Sequence, residues 1–155
     1  GLTSMGEAFQ ELNGRMSADS FMKGPSFAPV ILLLSDGGPT DDYESGLDEL
    51  KKNKWYRHAI KVAIAIGEDA DRDVLSEFTG SKESVFPVHN IEALKQVIRI
   101  VAVTSSTVGS RSTTAGGSTK QASVENEVKA AVKNIRGVGD APADKADDSD
   151  PWGEW

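Results

Sequence analysis

The stretch from Pro29 to Asp42 reads PVILLLSDGGPTDD. Its apolar run, Val30 to Leu34, leads into Ser35-Asp36-Gly37-Gly38-Pro39. A short apolar run bounded by turn residues predicts a strand buried on both faces, and Gly-Gly-Pro ends it sharply. Asp41 and Glu44 then have the spacing of a capping box that opens a helix. Asp36 is therefore expected at the carboxyl end of a buried strand, where open α/β sheets place their ligands. A carboxylate there is either a turn former that caps nearby amides or a group held for a cation or for phosphoryl chemistry.

Upstream of this stretch, Met5, Ala8, Phe9, Leu12 and Met16 recur on one helical face. Ser4 and Glu7 form an S-x-x-E box with Ser4 at the N-cap, and the helix should end near Ala18. Phe21 to Ala28 reads as a loop, with Gly24-Pro25 as its turn signal. Downstream, a helix is expected from about Asp42 to Asn53, with Tyr43, Leu47 and Leu50 facing inward. Trp55 reads as a lid on the core. Ala59 to Ile66 is a second buried strand. Ile60, Val62, Ile64 and Ile66 point one way, and Ala59, Lys61, Ala63 and Ala65 the other, so the small-residue face should let a helix pack close. Gly67 ends that strand. Asp71 caps a short helix with Val74, Leu75 and Phe78 inward and Gly80 as its stop. Ser84 to Val88 is a third strand, and Pro87, which cannot donate to a ladder, makes it an edge strand. Asn90 caps a last helix with Ile91, Leu94, Val97, Ile98 and Val101 on one face.

Helices alternating with strands predict an α/β domain with a parallel, doubly wound, Rossmann-like sheet. Three strands are fewer than the roughly five or six such a sheet holds. The composition divides the chain into 1–103, the α/β part; 104–120, a Ser/Thr/Gly linker; 121–136, a short helix of weak periodicity; and 137–155, an acidic tail expected to be disordered when free. The tail ends DDSDPWGEW, and Trp152 and Trp155 read as aromatic anchors for docking to a partner.

The net charge of −7 over 155 residues argues against a nucleic-acid partner. There are no cysteines, so disulfides and thiolate metal sites are excluded. No apolar run approaches the roughly 18 residues of a membrane span, and the expected location is cytoplasmic. The chain opens at Gly1 inside what reads as a loop, so a native N-terminal portion is expected upstream. No catalytic constellation is legible: there is no G-x-S-x-G, no G-x-x-x-x-G-K-[ST], and neither Cys nor a His pair for zinc. His58 and His89 read as ordinary surface or loop residues. Asp69, Asp71 and Asp73 have the spacing that opens a calcium loop, but Val74 stands where its glycine is required and Gly80 where its glutamate is. These acids are better suited to a helix N-terminus.

Thr3, before one helix, and Asp36, at a strand end, offer oxygen ligands from two loops at the same edge of a doubly wound sheet, as Mg²⁺ prefers. Gly1-Leu2-Thr3-Ser4-Met5-Gly6 resembles the second metal-binding loop of von Willebrand factor type A (VWA) domains. Ser35-Asp36-Gly37 with Pro39-Thr40-Asp41-Asp42 resembles the third. VAIAIGEDAD, then Leu75 with Phe78-Thr79, then VFPVHNIEAL continue the pattern in order. The resemblance covers about Gly1 to Val103, and is closest to the bacterial tellurium-resistance TerY-like group. It implies a non-enzymatic, metal-dependent protein-interaction module in stress response or tellurite resistance. Its Mg²⁺ or Mn²⁺ would be held by Thr3 and Asp36, with Ser4, Gly37, Gly38 and Thr40 shaping the site, and Asp41 and Asp42 mainly capping the following helix. The open coordination position would take an acidic residue of a partner protein. The family's Asp-x-Ser-x-Ser loop is not in this sequence, nor are its first three strands. The chain is thus expected to be the C-terminal part of such a domain, to bind metal weakly or not at all alone, and to expose the edge of the Val30–Leu34 strand. An unpaired apolar edge favours pairing with another chain or poor solubility. The alternative is a receiver-like phosphoacceptor domain with Asp36 as acceptor. That alternative lacks the lysine expected after the late strand, since Val88-His89-Asn90 supplies none.

Overall fold

The structure, a computed structural model, describes residues 5–16, 29–38, 41–110 and 117–139. Its elements in chain order are α1 (Met5–Arg15), β1 (Val30–Ser35), α2 (Tyr43–Lys51), α3 (Lys54–His58), β2 (Ile60–Ile66), α4 (Arg72–Thr79), β3 (Val85–Val88), α5 (Ile91–Ser110) and α6 (Gly117–Val132), with a 3₁₀ turn over Lys82–Ser84. The fold is α/β, and its three strands form one parallel sheet in the order β1-β2-β3. Leu32 stands opposite Val62, and Ala63 opposite Val85.

The alternation of large and small residues in β2 sets what packs on each face. Ile60, Val62 and Ile64 share a core with Leu94, Val97 and Val101 of α5 and Val124 and Val128 of α6. On the other face Ala63 and Ala65 leave room for Leu75 of α4. Lys61 is on this small-residue face. Its ammonium donates to the Tyr56 and Ala59 carbonyls, and burial pulls its pKa down. A second cluster joins Met5 and Phe9 of α1 to Leu47 and Leu50 of α2, with Ile31 and Leu33 of β1 against it. There Phe9 stacks on Phe78 at 5.2 Å, and the Tyr56 ring meets Phe78 edge-on. The Tyr56 hydroxyl donates to the Phe78 carbonyl. Burial, aided by the charge of Glu77, pushes its pKa up to about 12.

Three expectations change. β1 is not buried on both faces: among the described residues it pairs only with β2, and Val30 and Leu34 remain 43% and 40% exposed. The helix expected from Asp42 to Asn53 ends at Lys51. Asn53 then caps α3, its carboxamide oxygen accepting from the Trp55 amide at 2.8 Å. The linker expected over 104–120 is helical over much of its length. α5 runs on to Ser110 and α6 starts at Gly117. The cause is packing: Ser105 and Val108 continue the buried stripe of Val97 and Val101, and Val108 lies in the core with Val124 and Val128. Burial overrides the weak intrinsic helix propensity of Ser, Thr and Gly.

Gln121 anchors α6 to the sheet. Its carboxamide accepts from the Lys61 amide at 2.8 Å and donates to the Lys61 carbonyl at 2.7 Å. This pairs backbone groups of β2 that lie before the start of β3. On the same side of β2, Pro87 is in an edge strand as expected. The segment 137–139 runs antiparallel beside it, with Gly139 donating to the Pro87 carbonyl at 2.9 Å.

α1 and α2 approach closely through two glycines. A Cβ on Gly46 would lie 2.6 Å from the Gly6 carbonyl oxygen, and one on Gly6 would lie 2.6 Å from that of Asp42. Alanine for glycine inside an exposed helix normally stabilises by about 0.5–1 kcal/mol. Gly14→Ala, where a Cβ meets nothing within 4 Å, should follow that rule. Gly46→Ala should reverse its sign and destabilise by about 1–3 kcal/mol, as read from urea unfolding of both variants. The open β1 edge yields a second expectation. The chain should self-associate as concentration rises, and Val30→Lys with Leu34→Lys should suppress this, because lysine on an edge strand blocks pairing. A wild-type chain that sediments as one monomeric species over the whole concentration range would remove that expectation.

Candidate functional site at the carboxyl edge of the sheet

The turn after β1 is built by Ser35, buried at the strand's last position. Its hydroxyl donates to the Gly37 carbonyl at 2.9 Å, a local side-chain turn. This leaves Asp36 exposed at the carboxyl end of the strand, with Gly37 and Gly38 following. A Cβ on Gly37 would meet nothing within 4 Å, so the backbone there is open to an incoming group. Gly38 lies beside Asp71, whose carboxylate oxygen would be 3.9 Å from a Cβ on that glycine. The Asp71 amide also points at the Gly37 carbonyl, at 3.4 Å. The β1 and β2 loops are thus in contact.

Asp41 does not open the following helix. Its two carboxylate oxygens accept from the Gly6 and Glu7 amides, at 2.9 and 3.1 Å. It caps α1, a helix 35 residues away in sequence, by compensating the positive end of that helix. α2 is capped by Asp42 instead, which accepts from the Ser45 amide and hydroxyl. These bonds, the hydroxyl one first, hold the Asp42 pKa below the ordinary carboxylate range. The expected Asp41–Glu44 capping box is therefore replaced by two aspartates serving two helices. Asp71 and Asn90 cap α4 and α5 as expected, accepting from Val74 and Ala93.

Beyond the β2 end, Glu68, Asp71, Arg72, Asp73 and His89 line an open depression of about 400 Å³. His58 is exposed, but His89 is buried. Its Nε2–H donates to the Gly139 carbonyl at 2.6 Å. His89 thus holds 137–139 against β3, and it occupies the place where the phosphoacceptor alternative calls for lysine. Trp55 is half-buried against the α1–α2 cluster, a lid as expected.

Of the sequence-derived site residues, Asp36, Gly37 and Gly38 lie together on this edge. Thr3, Ser4, Thr40, Trp152 and Trp155 lie outside the described residues. Among the described residues no group of three or more His, Asp or Glu side chains is arranged to hold a metal ion. The donors present beside Asp36, a hydroxyl and backbone carbonyls, are hard oxygens of the kind Mg²⁺ and Mn²⁺ accept. Sequence reasoning missed Ser35 as the turn builder and Asp41 as the clasp on α1. The first had a signal, a serine two residues before a glycine at a strand end. No family model, curated protein or solved structure matches the chain.

Removing the clasp tests its role. Asp41→Ala should destabilise by about 1 kcal/mol, the usual loss of a cap, and Asp41→Asn by less, as measured by denaturant midpoint. Asp42 adds a pH dependence of defined sign. Its folded pKa is depressed, so its cap stabilises fully above the unfolded pKa and fades as pH falls through the folded value. Asp42→Asn should flatten that acid limb.

Proposed function

We propose that this chain is a non-enzymatic protein-binding module of the VWA class, bacterial and cytosolic, which offers a divalent cation to an acidic residue of a partner protein. Asp36 and Thr3 would hold Mg²⁺ or Mn²⁺, with further oxygen ligands from outside this pair. Ser4, Gly37, Gly38 and Thr40 would shape the site. The bound ion would supply positive charge that hydroxyl and single-carboxylate ligands leave partly uncompensated, which attracts a carboxylate.

The observation that carries this reading is the Asp41 clasp. It ties the β1–α2 loop to the first turn of α1, which begins two residues after Thr3. Gly6, the last residue of one loop named by the resemblance, is thereby bonded to Asp41 of the other. Asp36 is exposed at the end of β1 in a parallel sheet, where such sheets bind ligands. Among the described residues no helix is long and apolar enough to cross a membrane. A role in stress response or tellurite resistance, with Trp152 and Trp155 as an additional docking element, belongs to the same proposal.

The test is Mn²⁺ binding, followed by electron spin resonance, in the full-length protein. Asp36→Ala should weaken it by about tenfold or more, the scale on which metal sites respond to lost ligation. Asp73→Ala, an exposed acid on α4, should leave it unchanged. Mn²⁺ affinity that survives Asp36→Ala would remove the metal assignment.

A further inference from the structure

The amino end of β3 carries a feature that the carboxyl edge does not explain. A groove of about 360 Å³ lies between β3, α6 and the segment 137–139. Val85, Phe86, Pro87, Val132 and Val138 give it an apolar lining. Lys82, Lys129 and Lys133 stand on its rim, together with Glu83, which pairs with Lys129. The rim therefore has an excess of positive charge in a chain whose net charge is −7.

The chain leaves the described residues at this groove. His89 donates to the Gly137 carbonyl at 2.7 Å and Gly139 to that of Pro87 at 2.9 Å, so 137–139 runs antiparallel to β3, away from the carboxyl edge. Alternate residues of a strand turn their backbone groups to the same side. The Val85 carbonyl therefore faces this edge as that of Pro87 does, while the Val85 amide is spent on Lys82.

Residues 140–155 also have the complementary chemistry. Asp140, Asp144, Asp147, Asp148, Asp150 and Glu154 against Lys145 give the segment a net −5 of the chain's −7. Trp152 and Trp155 are large apolar groups suited to an apolar floor.

We propose that residues 140–155 are the occupant of the β3–α6 groove, docking in cis with their acids against the Lys82–Lys133 rim and an indole on the Val85–Val132 floor. Tethering makes a modest contact sufficient. A short link gives an effective concentration of about 1 mM, so a contact with an intrinsic Kd near 0.1 mM keeps the groove about nine-tenths filled. The charged component weakens with salt, because the Debye length falls from about 10 Å at 0.1 M to about 3 Å at 1 M. The groove is then masked from partners at low ionic strength and opened by salt or by a competing acidic, aromatic peptide.

The test uses the full chain and the single tryptic site within this segment, after Lys145. Cleavage should be about tenfold slower than in a synthetic peptide of residues 140–155 at low salt, since cleavage of an opened state tracks its population. The difference should shrink in about 1 M NaCl. The exposed pair Lys82→Glu with Lys133→Glu should abolish it at low salt. Lys82→Gln with Lys133→Gln should abolish most of it and guards against a folding defect in the charge reversal. Acrylamide quenching of Trp152 and Trp155, in a Trp55→Phe background, should rise in parallel. Equal cleavage of chain and peptide at low salt would overturn the proposal. So would protection that disappears on dilution, which would identify a second copy of the chain as the occupant.

Discussion

The contact between the Asp41 carboxylate and the Gly6 and Glu7 amides is the joint on which the carboxyl-edge architecture depends. α1 adds no strand to the sheet, so its position must come from helix packing and from this cap. The two glycines make the joint possible. Gly6 and Gly46 bring the backbones of α1 and α2 close enough that no Cβ fits between them, and at that separation Asp41 reaches the open end of α1. Close packing then extends the constraint, since Phe9 of α1 stacks on Phe78 of α4. One carboxylate thereby fixes the first turn of a helix, the loop after a strand and, through an aromatic pair, a second helix. A helix start held by a side chain from another loop is a rigid support for anything bound between them.

The sheet supplies the other half of the architecture. β2 has a neighbour on each side and is almost wholly buried, whereas β1 keeps one edge open among the described residues. A strand as apolar as VILLLS with one partner leaves Val30 and Leu34 in water, a state that natural edge strands usually avoid by charge or by shortness. This edge and the Asp36 loop belong to the same strand. Anything that paired along β1 would end beside Asp36.

The parts of this fold that were legible in the sequence are the local ones. The strands showed themselves by apolar runs and by the alternation of large and small residues in β2. Pro87 marked an edge, and Asp71, Asn90 and Gly80 marked helix ends, because each acts on amides or carbonyls within a few residues of itself. What was not legible is what acts at long range. Asp41 looks like a local cap because Glu44 follows at the right spacing, and its true partners are 34 and 35 residues away. His89 looks like a loop residue, but it is buried against Gly139, 50 residues on. The Ser/Thr/Gly run after Val103 has the composition of a linker. It is nevertheless helical to Ser110 because Val108, set among small residues, finds Val124 and Val128 of α6. Composition reports propensity and cannot report a partner helix. The position of Asp36 and its glycines after the strand end was readable, while the order imposed by Ser35 and Asp41 became visible only in three dimensions.

The charges divide along the same lines. The carboxyl edge gathers Asp36, Glu68, Asp69, Asp71 and Asp73 around loops that touch. The far end of β3 gathers Lys82, Lys129 and Lys133. Exposed charges separated by more than a Debye length of about 8–10 Å are largely independent, so the two ends of the sheet can attract different ions without cancelling one another. An acidic surface by itself repels acidic groups. A cation bound there would invert that local field and turn a surface that excludes carboxylates into one that selects them. The lysine rim needs no such inversion to attract acidic residues. The antiparallel run of 137–139 beside β3 heads toward that rim and away from the acidic edge.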